Sequence, residues 1–197
     1  MQCDVPTTCL TIKAHHRRRC YGMKTRQAMD NALGGLHPTD LLILAARPSM
    51  GKTALASNIA FNTAKRYLET NGKEGAIVGF FSLEMGHTQL TTRILGGIAG
   101  VSGDAVRRGN LKEEEFHRLV QVGNQYRDLP LHTEDTSALS ITALRTRARR
   151  MKRQHGITLL IVDYLQLLNG SATRRAAENR VQEVSEISRG LKTIAKE

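Results

Sequence analysis

A phosphate-binding loop is encoded by eight consecutive residues, Ala46, Arg47, Pro48, Ser49, Met50, Gly51, Lys52 and Thr53. They follow the apolar run Leu41–Ala46 and precede a long helical pattern that begins at Lys52. In such a loop a strand delivers the chain, a tight turn points backbone N–H groups at one spot, and the helix N-terminus adds its positive dipole end. Lys52 is then expected to reach the β- and γ-phosphates of a nucleotide, and the Thr53 hydroxyl to hold Mg²⁺.

Ala46 stands where the usual pattern, G-x-x-x-x-G-K-[ST], has its first glycine. A methyl group is tolerated at this position if the backbone φ stays below zero, because only a positive φ strongly favours glycine. The loop is therefore expected to form despite this departure. The alternative interpretation is an ordinary glycine turn in front of a helix.

Two carboxylates follow later apolar runs and complete a possible reaction centre. Asp163 ends the run Leu159–Val162, and a carboxylate at the carboxyl edge of a parallel sheet lies where ligands bind. It is predicted to support Mg²⁺ together with Thr53. Glu84 ends another run and is predicted to orient or deprotonate a water in line with the γ-phosphate. The alternatives are a strand-end aspartate that caps a turn and a surface glutamate at a helix start.

The chain alternates strand and helix patterns, which predicts a doubly wound α/β domain with a mostly parallel sheet between helices. Strands are predicted at 41–46, 76–83, 129–133 and 158–164, and helices at 52–70, 87–99, 112–127, after Ser140, and from about 178 to the end. The final helix is expected to bury Val181, Val184, Ile187, Leu191 and Ile194.

The size and composition fit one domain of this kind. The 197 residues include no Trp, and Leu, Ile, Val and Ala dominate the apolar set, which suits a parallel sheet covered by helices. No apolar stretch is long enough to cross a bilayer, and no signal peptide is evident. A soluble, cytoplasmic protein without a membrane partner is therefore expected.

The net charge of +11 comes from two basic clusters. Residues 1–26 carry a net charge of +5 and residues 145–153 carry +6. Such clusters fit a polyanion partner such as DNA. For the second cluster the alternative is the solvated face of an amphipathic helix, because an apolar stripe runs through Ile141, Leu144, Ala148 and Met151.

The first twenty residues hold all three cysteines, Cys3, Cys9 and Cys20, beside His15 and His16. A zinc site is conceivable, but no C-x-x-C pair anchors it. The segment is acid-poor and lacks a clear period, so residues 1–20 are predicted to form a flexible basic tail. An organelle-targeting peptide would share this composition.

Four ordered blocks of sequence resemble the C-terminal motor domain of DnaB-type replicative helicases. They are Leu42–Thr53, Phe81–Met85, Val162–Leu167 and Glu178–Arg189. The resemblance covers about residues 34–197 and extends more weakly to Tyr21. Residues 21–197 are accordingly interpreted as an incomplete RecA-like helicase ATPase domain.

The resemblance implies a RecA-like fold of the P-loop NTPases, a homohexameric ring, and unwinding of DNA in replication driven by ATP with Mg²⁺. Carried over residue by residue, it implies that the loop from Ala46 to Thr53 binds ATP, that Glu84 activates water, and that Thr53 and Asp163 support Mg²⁺. Arg174, Arg175 and Arg180 are a candidate DNA-facing loop for non-specific binding of single-stranded DNA. A solvated loop without a ligand is the alternative.

The resemblance also implies elements that lie beyond Glu197: a strand with a phosphate-sensing Gln, a DNA-binding loop and an arginine finger. An arginine finger contributes roughly 10³–10⁵ in rate, so this chain alone is expected to hydrolyse ATP slowly. With the C-terminal strands of the family missing, the strand Leu41–Ala46 is expected to lack partners on both edges. The chain would then be marginally stable, aggregation-prone or completed by another polypeptide.

Two classes of function follow from these observations. The first is a helicase motor domain. The second is a non-catalytic or decayed helicase remnant that binds nucleotide, or an intact helicase ring, without unwinding DNA.

Overall fold

A five-stranded sheet lies at the centre of the protein, as seen in a computed structural model that describes residues 7–12, 31, 33–47, 49–136, 139–163 and 180–197. The strands are β1 (Thr7–Ile12), β2 (Leu41–Ala45), β3 (Val78–Ser82), β4 (Leu131–Glu134) and β5 (Leu159–Asp163). The helices are α1 (Lys52–Glu69), α2 (His87–Ala99), α3 (Gly103–Arg108), α4 (Glu113–Gln125), α5 (Ile141–His155) and α6 (Arg180–Lys196).

The sheet is mostly parallel, as the sequence predicts, and its order is β2-β1-β5-β3-β4. Strand β3 pairs in parallel with both β4 and β5. Strand β1 is antiparallel to both of its neighbours, β2 and β5. Because β2 and β5 each run opposite to β1, they run parallel to one another. The carboxyl ends of β2, β5, β3 and β4 therefore all lie at the same edge of the sheet.

Strand β1 corrects two expectations drawn from the sequence. Part of the segment predicted to be a flexible tail, Thr7–Ile12, is a strand in the interior of the sheet. The family resemblance implies that strand β2 lacks partners on both sides, but on one side Thr7–Thr11 pair with Ala45–Leu41 along its whole length. The alternating, uncharged pattern of Thr7–Ile12 suits a strand, but the sequence alone does not reveal a partner so distant along the chain.

Helices cover both faces of the sheet and form one apolar core on each. On one face, α5 and α6 pack on alternate strand residues such as Phe81, Leu160 and Val162. On the other face, α1 and α2 pack on the intervening residues, which include Phe80 and Ile161. Burying every residue of β3 and β5 requires apolar side chains on both faces, and this explains why these strands are continuous apolar runs.

The helix boundaries follow local signals. The Ser140 hydroxyl accepts a hydrogen bond from the Ala143 N–H at 3.2 Å, so the predicted cap of α5 is confirmed. The predicted stripe of α5 is buried, as are Ile187, Leu191 and Ile194 of α6. The prediction for Val184 is wrong, because its side chain is 37% exposed one turn before Ile187. Helix α3 is absent from the sequence prediction, since six residues are too few to show a period.

In the described part of the chain, the helices are all too short or too polar to traverse a lipid bilayer.

Candidate functional site

The loop between β2 and α1 has the backbone geometry of an anion cradle. Ser49 and Gly51 adopt positive φ angles of 62° and 82°, so the chain turns sharply just before the helix begins at Lys52. Within the described ranges, no side chain caps α1, and its first turn contains no acidic residue. The N–H groups at this helix end therefore face no capping side-chain anion, which leaves the positive end of the dipole available to phosphate. Pro48 lies outside the described residues.

The Lys52 ammonium group lies over the same turn. Its Nζ donates hydrogen bonds to the carbonyl oxygens of Ala46 at 3.2 Å and Arg47 at 3.3 Å. Both acceptors are neutral, so neither contact offsets the charge of the ammonium. A phosphate oxygen would form a stronger, charge-assisted bond with this ammonium than a backbone carbonyl does. Thr53 follows in the first turn of α1 and is half-buried.

The two predicted carboxylates lie at the ends of neighbouring strands. Asp163 ends β5 and is 1% exposed, and in register it lies opposite Ser82, the last residue of β3. The Leu83 N–H donates a hydrogen bond to the Asp163 carbonyl oxygen at 2.7 Å and ties the two strand ends together. Glu84 follows immediately and is exposed. One carboxylate is therefore enclosed in the protein and the other projects from the rim.

The cradle and the carboxylates meet at one edge of the sheet. Cys9 of β1 lies opposite both Ile43 of β2 and Val162 of β5, so Asp163 lies level with the last residues of β2. Two strand spacings, about 10 Å, separate these strand ends. The described part of the loop, Asp163 and Glu84 thus lie at the same edge of the sheet, and their roles in binding and catalysis stay predictions. The predicted DNA-contacting arginines are considered below.

The chemistry of this rim fits a nucleoside triphosphate with a hard divalent cation. The ammonium and backbone N–H groups suit phosphate oxygens, whereas the Thr53 hydroxyl and the two carboxylates are oxygen ligands of the kind that Mg²⁺ prefers. Among the described residues, no group of three or more His, Cys, Asp or Glu side chains is placed to hold a metal ion unaided. Mg²⁺ at this rim would thus take most of its ligands from phosphate and water, as is common for this ion.

A second acidic pair, which the sequence does not predict as part of the site, lies at the same rim. Strand β4 ends at Glu134, one residue later than predicted, and Asp135 follows it. The Asp135 carboxylate accepts a hydrogen bond from the His87 backbone N–H at 3.0 Å and contacts the His87 ring at 2.9 Å. These hydrogen bonds, the backbone one foremost, lower the pKa of Asp135 below its ordinary value. The available signal was an acidic pair directly after the predicted strand 129–133.

Much of the positive charge of helix α5 is paired with carboxylates of the same chain. Arg145 and Arg149 both pair with the Glu197 carboxylate, at 2.6 Å for the Arg149 contact, and Arg147 pairs with Glu134. Arg145, followed by Arg149, lowers the pKa of Glu197 to about 2. Arginines held in ion pairs are less available to a polyanion, so the geometry favours a packed helix face over the DNA-binding interpretation of this cluster.

A cavity of about 670 Å³ lies at the opposite end of β5 from Asp163. Its walls include Lys152 of α5, Ile194 of α6, Leu160 of β5 and Ile157, which precedes that strand. Because it opens at the amino edge of the parallel strands, it is not part of the carboxyl rim described above.

The remaining predicted residues are not placed. Arg174 and Arg175 lie outside the described residues, and Arg180 is the first residue of α6, where its side chain is not described. The DNA-binding role of these arginines stays a prediction. The zinc alternative also stays open, because among its cysteines and histidines only Cys9, in β1, is described.

Comparison with known proteins agrees with this geometry. The family model described as the DnaB-like helicase C terminal domain matches residues 22–197. The replicative DNA helicase DnaB of Rickettsia prowazekii is 51% identical over 172 residues, which cover 86% of this chain and 35% of that protein. The replicative DNA helicase DnaC of Bacillus subtilis is 41% identical over 169 residues, with the same two coverages. The chain thus spans about a third of the length of these curated relatives.

Solved structures give the same result for the fold. A DnaB-like replicative helicase, described with its interactions with primase, aligns over 76% of this chain and 34% of that one, with a TM-score of 0.62 and 28% identity. A second structure, described as an ATPase domain, aligns over 76% of this chain and 50% of that one, with the same TM-score and identity. With the family model matching 176 of its 197 residues, the chain belongs to the DnaB-like helicase C-terminal domain family, and its fold is that of the ATPase domains of these helicases.

Proposed function

We propose that this chain binds Mg-ATP at the carboxyl rim of the sheet and hydrolyses it as the motor of a replicative DNA helicase. The observation that carries the proposal is the meeting of Lys52, Asp163 and Glu84 at one edge, around a helix end without a side-chain cap among the described residues. Three different stretches of the chain supply these groups, and their convergence has no evident structural purpose. Membership of the helicase family supports the same conclusion.

Each residue has a distinct role in this proposal. Lys52 exchanges its two carbonyl partners for phosphate oxygens, while the N–H groups of the cradle bind the remaining charge. Thr53 and the enclosed Asp163 orient the Mg²⁺ and its water shell, and the ion offsets phosphate charge when it is bound. The exposed Glu84 accepts a proton, at one of its carboxylate oxygens, from a water in line with the γ-phosphate.

DNA and a ring of identical chains complete the proposal. The chain carries a net charge of +11, which favours a nucleic-acid partner, and Arg174, Arg175 and Arg180 are its proposed DNA contacts. Contacts of arginines to phosphates give binding of single-stranded DNA that is non-specific and weakens steeply with salt. The proposed assembly is a homohexamer, as the family resemblance implies.

The decisive experiment is a titration of Mg-ATP against the chain and three variants. Lys52→Ala removes the ammonium and should weaken nucleotide binding by about tenfold to a hundredfold, because hydrogen bonds to charged groups contribute about 1.5–3 kcal/mol. Lys73→Ala, in the exposed turn after α1, is the matched control and should bind as wild type does. Glu84→Gln should keep nucleotide affinity but lose about 10²–10⁴ in hydrolysis rate.

The outcomes separate the proposal from its alternative. Equal affinity in wild type, Lys52→Ala and Lys73→Ala would show that the cradle does not bind nucleotide, and the proposal would be wrong. Tight binding without measurable hydrolysis, even with DNA present, would instead support the non-catalytic remnant.

A further inference from the structure

Strand β1 is, within the described part of the chain, the one link by which hydrogen-bonded pairing connects the cradle strand to the rest of the sheet. Five residues of β1 pair with β2, and four pair with β5. Strands β2 and β5 do not pair with each other, since β1 lies between them. Strand β2 is at the edge of the sheet, so among the described residues no strand pairs with its outer side. Ile43, at the middle of β2, is accordingly 46% exposed.

The two ends of β2 are anchored differently. Its amino end packs into the protein, because Leu41 contacts the core beneath α6 and the Lys192 ammonium donates to the Thr39 carbonyl at 2.8 Å. Its carboxyl end, which leads into the cradle, has an exposed Ala45 that lies opposite Thr7 in register. Among the described residues, pairing with β1 is the hydrogen-bonded contact that joins this end to the rest of the sheet. Each hydrogen bond contributes about 1 kcal/mol net, enough in sum to hold a strand end in place.

We propose that Thr7–Ile12 is a positioning strand for the nucleotide site, which holds the cradle at a fixed distance from Asp163. This inference rests on the proposed function. The cradle and Lys52 belong to one continuous segment, so they can bind phosphates without β1. The ion needs Thr53 from that segment and Asp163 from β5 at the same time. Disturbing β1 therefore removes the Mg²⁺-dependent part of nucleotide affinity and leaves the Mg²⁺-independent part.

The register of β1 is tested by a disulfide that uses a native cysteine. In a chain with Cys3→Ser and Cys20→Ser, the substitution Ile43→Cys places a second cysteine directly opposite Cys9. Opposed residues of antiparallel strands lie about 4.5–5.5 Å apart at Cα, within the range that a disulfide spans. Mild oxidation should form the bond in this chain but not in a Leu42→Cys control, whose side chain faces the other side of the sheet. Equal yields from both would overturn the assignment.

The positioning role is tested by prolines at the end of β1 next to the cradle. Successive residues of a central strand direct their N–H groups to opposite neighbouring strands, so one of Thr7 and Thr8 donates toward β2. Thr7→Pro with Thr8→Pro removes that donor, whichever of the two residues supplies it. Cys9–Ile12 remain unchanged and keep their pairing with β5. The matched control is Thr7→Val with Thr8→Val, which keeps both donors and suits a strand.

The measurement compares the affinity for a fluorescent ATP analogue with Mg²⁺ and with EDTA. In wild type and in the valine variant, Mg²⁺ should strengthen binding by about fivefold or more, a usual size for coupling between two ligands. In the proline variant that gain should fall to about one, while binding in EDTA stays at the wild-type level. A purely structural role would weaken both conditions together, and an unchanged gain would refute the inference.

Two further results have distinct meanings. If wild type binds no nucleotide under either condition, the proposed function fails and not only this inference. If the proline variant loses its cooperative unfolding transition, the same comparison is made in chains that carry a disulfide between Cys9 and the cysteine of Ile43→Cys. This bond holds the middle of β1 against β2 but leaves the proline-bearing end next to the cradle unpaired. A normal Mg²⁺ gain in the locked valine chain but not in the locked proline chain supports the proposal, and equal gains overturn it.

Discussion

Replacing Gly51 by Ala tests whether the backbone conformation of the cradle is used to bind nucleotide. Gly51 has φ 82° and ψ 22°, and a Cβ built on it would meet no described atom within 4 Å. The substitution therefore causes no steric clash with the described residues, and its cost is the left-handed backbone alone. That cost is roughly 1–2 kcal/mol for an L-residue.

The variant can relieve this strain by leaving the left-handed conformation, which turns the N–H groups of the cradle away from their common point. Binding nucleotide then requires the strain to be restored. The same cost of about 1–2 kcal/mol reappears as a loss of affinity of about 5- to 30-fold, because roughly 1.4 kcal/mol corresponds to a factor of ten. The assay is a titration with a fluorescent ATP analogue in the presence of Mg²⁺.

Gly100→Ala supplies the matched control. Gly100 ends α2 with φ 65°, and its Cβ would also meet no described atom within 4 Å. The 13 residues of α2 separate Gly100 from the rim where that helix begins, a distance of about 20 Å. Gly100→Ala should lose a similar amount, about 1–2 kcal/mol, of unfolding free energy in urea but keep wild-type nucleotide affinity. Equal affinity in the two variants would refute the assignment of the cradle.

Three further predictions concern stability. A Cβ on Gly190 of α6 would lie 2.4 Å from Cγ1 of Ile141, so Gly190→Ala should lower the unfolding free energy by about 1–3 kcal/mol. Gly97 lies in open space on α2, so Gly97→Ala should raise the unfolding free energy by about 0.5–1 kcal/mol. Urea unfolding measures both changes. Burial, followed by the nearby His155 ring stacked 3.9 Å away, lowers the pKa of His132 below 6.5. The unfolded chain then binds the proton more tightly, so stability should fall as the pH drops through about 6.5, and His155→Ala should reduce this dependence without abolishing it.

The parts of the site that sequence predicts are those formed by neighbouring residues. The cradle is one continuous segment, and a glycine followed by Lys52 and Thr53 has few other uses at the start of a helix. The strand ending at Asp163 is apolar throughout because both of its faces are buried. The Ser140 cap acts on a residue only three positions away. In each case the sequence itself brings the interacting groups together.

The parts that sequence misses depend on residues far apart in the chain. The His87–Asp135 contact joins residues 48 positions apart, and the ion pair from Arg145 to Glu197 joins residues 52 positions apart. A helical stripe identifies which face of α5 is polar, but it cannot distinguish arginines in ion pairs from arginines that await DNA. The predicted burial of Val184 is wrong for a related reason. Val184 belongs to the apolar stripe of α6, but the described residues leave that turn of the helix partly uncovered.

Strand β1 is the most informative of these misses, because it shows which property of the sheet the site needs. The cradle and Asp163 must emerge at the same edge, which requires β2 and β5 to run parallel with a fixed gap between them. A single intervening strand meets both conditions whether it is parallel or antiparallel to its two neighbours. Here β1 runs opposite to both β2 and β5, so β2 and β5 still run in the same direction. The site therefore tolerates an antiparallel strand from the start of the chain in this position. It does not tolerate an empty position, because the gap of about 10 Å would then leave two rows of backbone groups without partners.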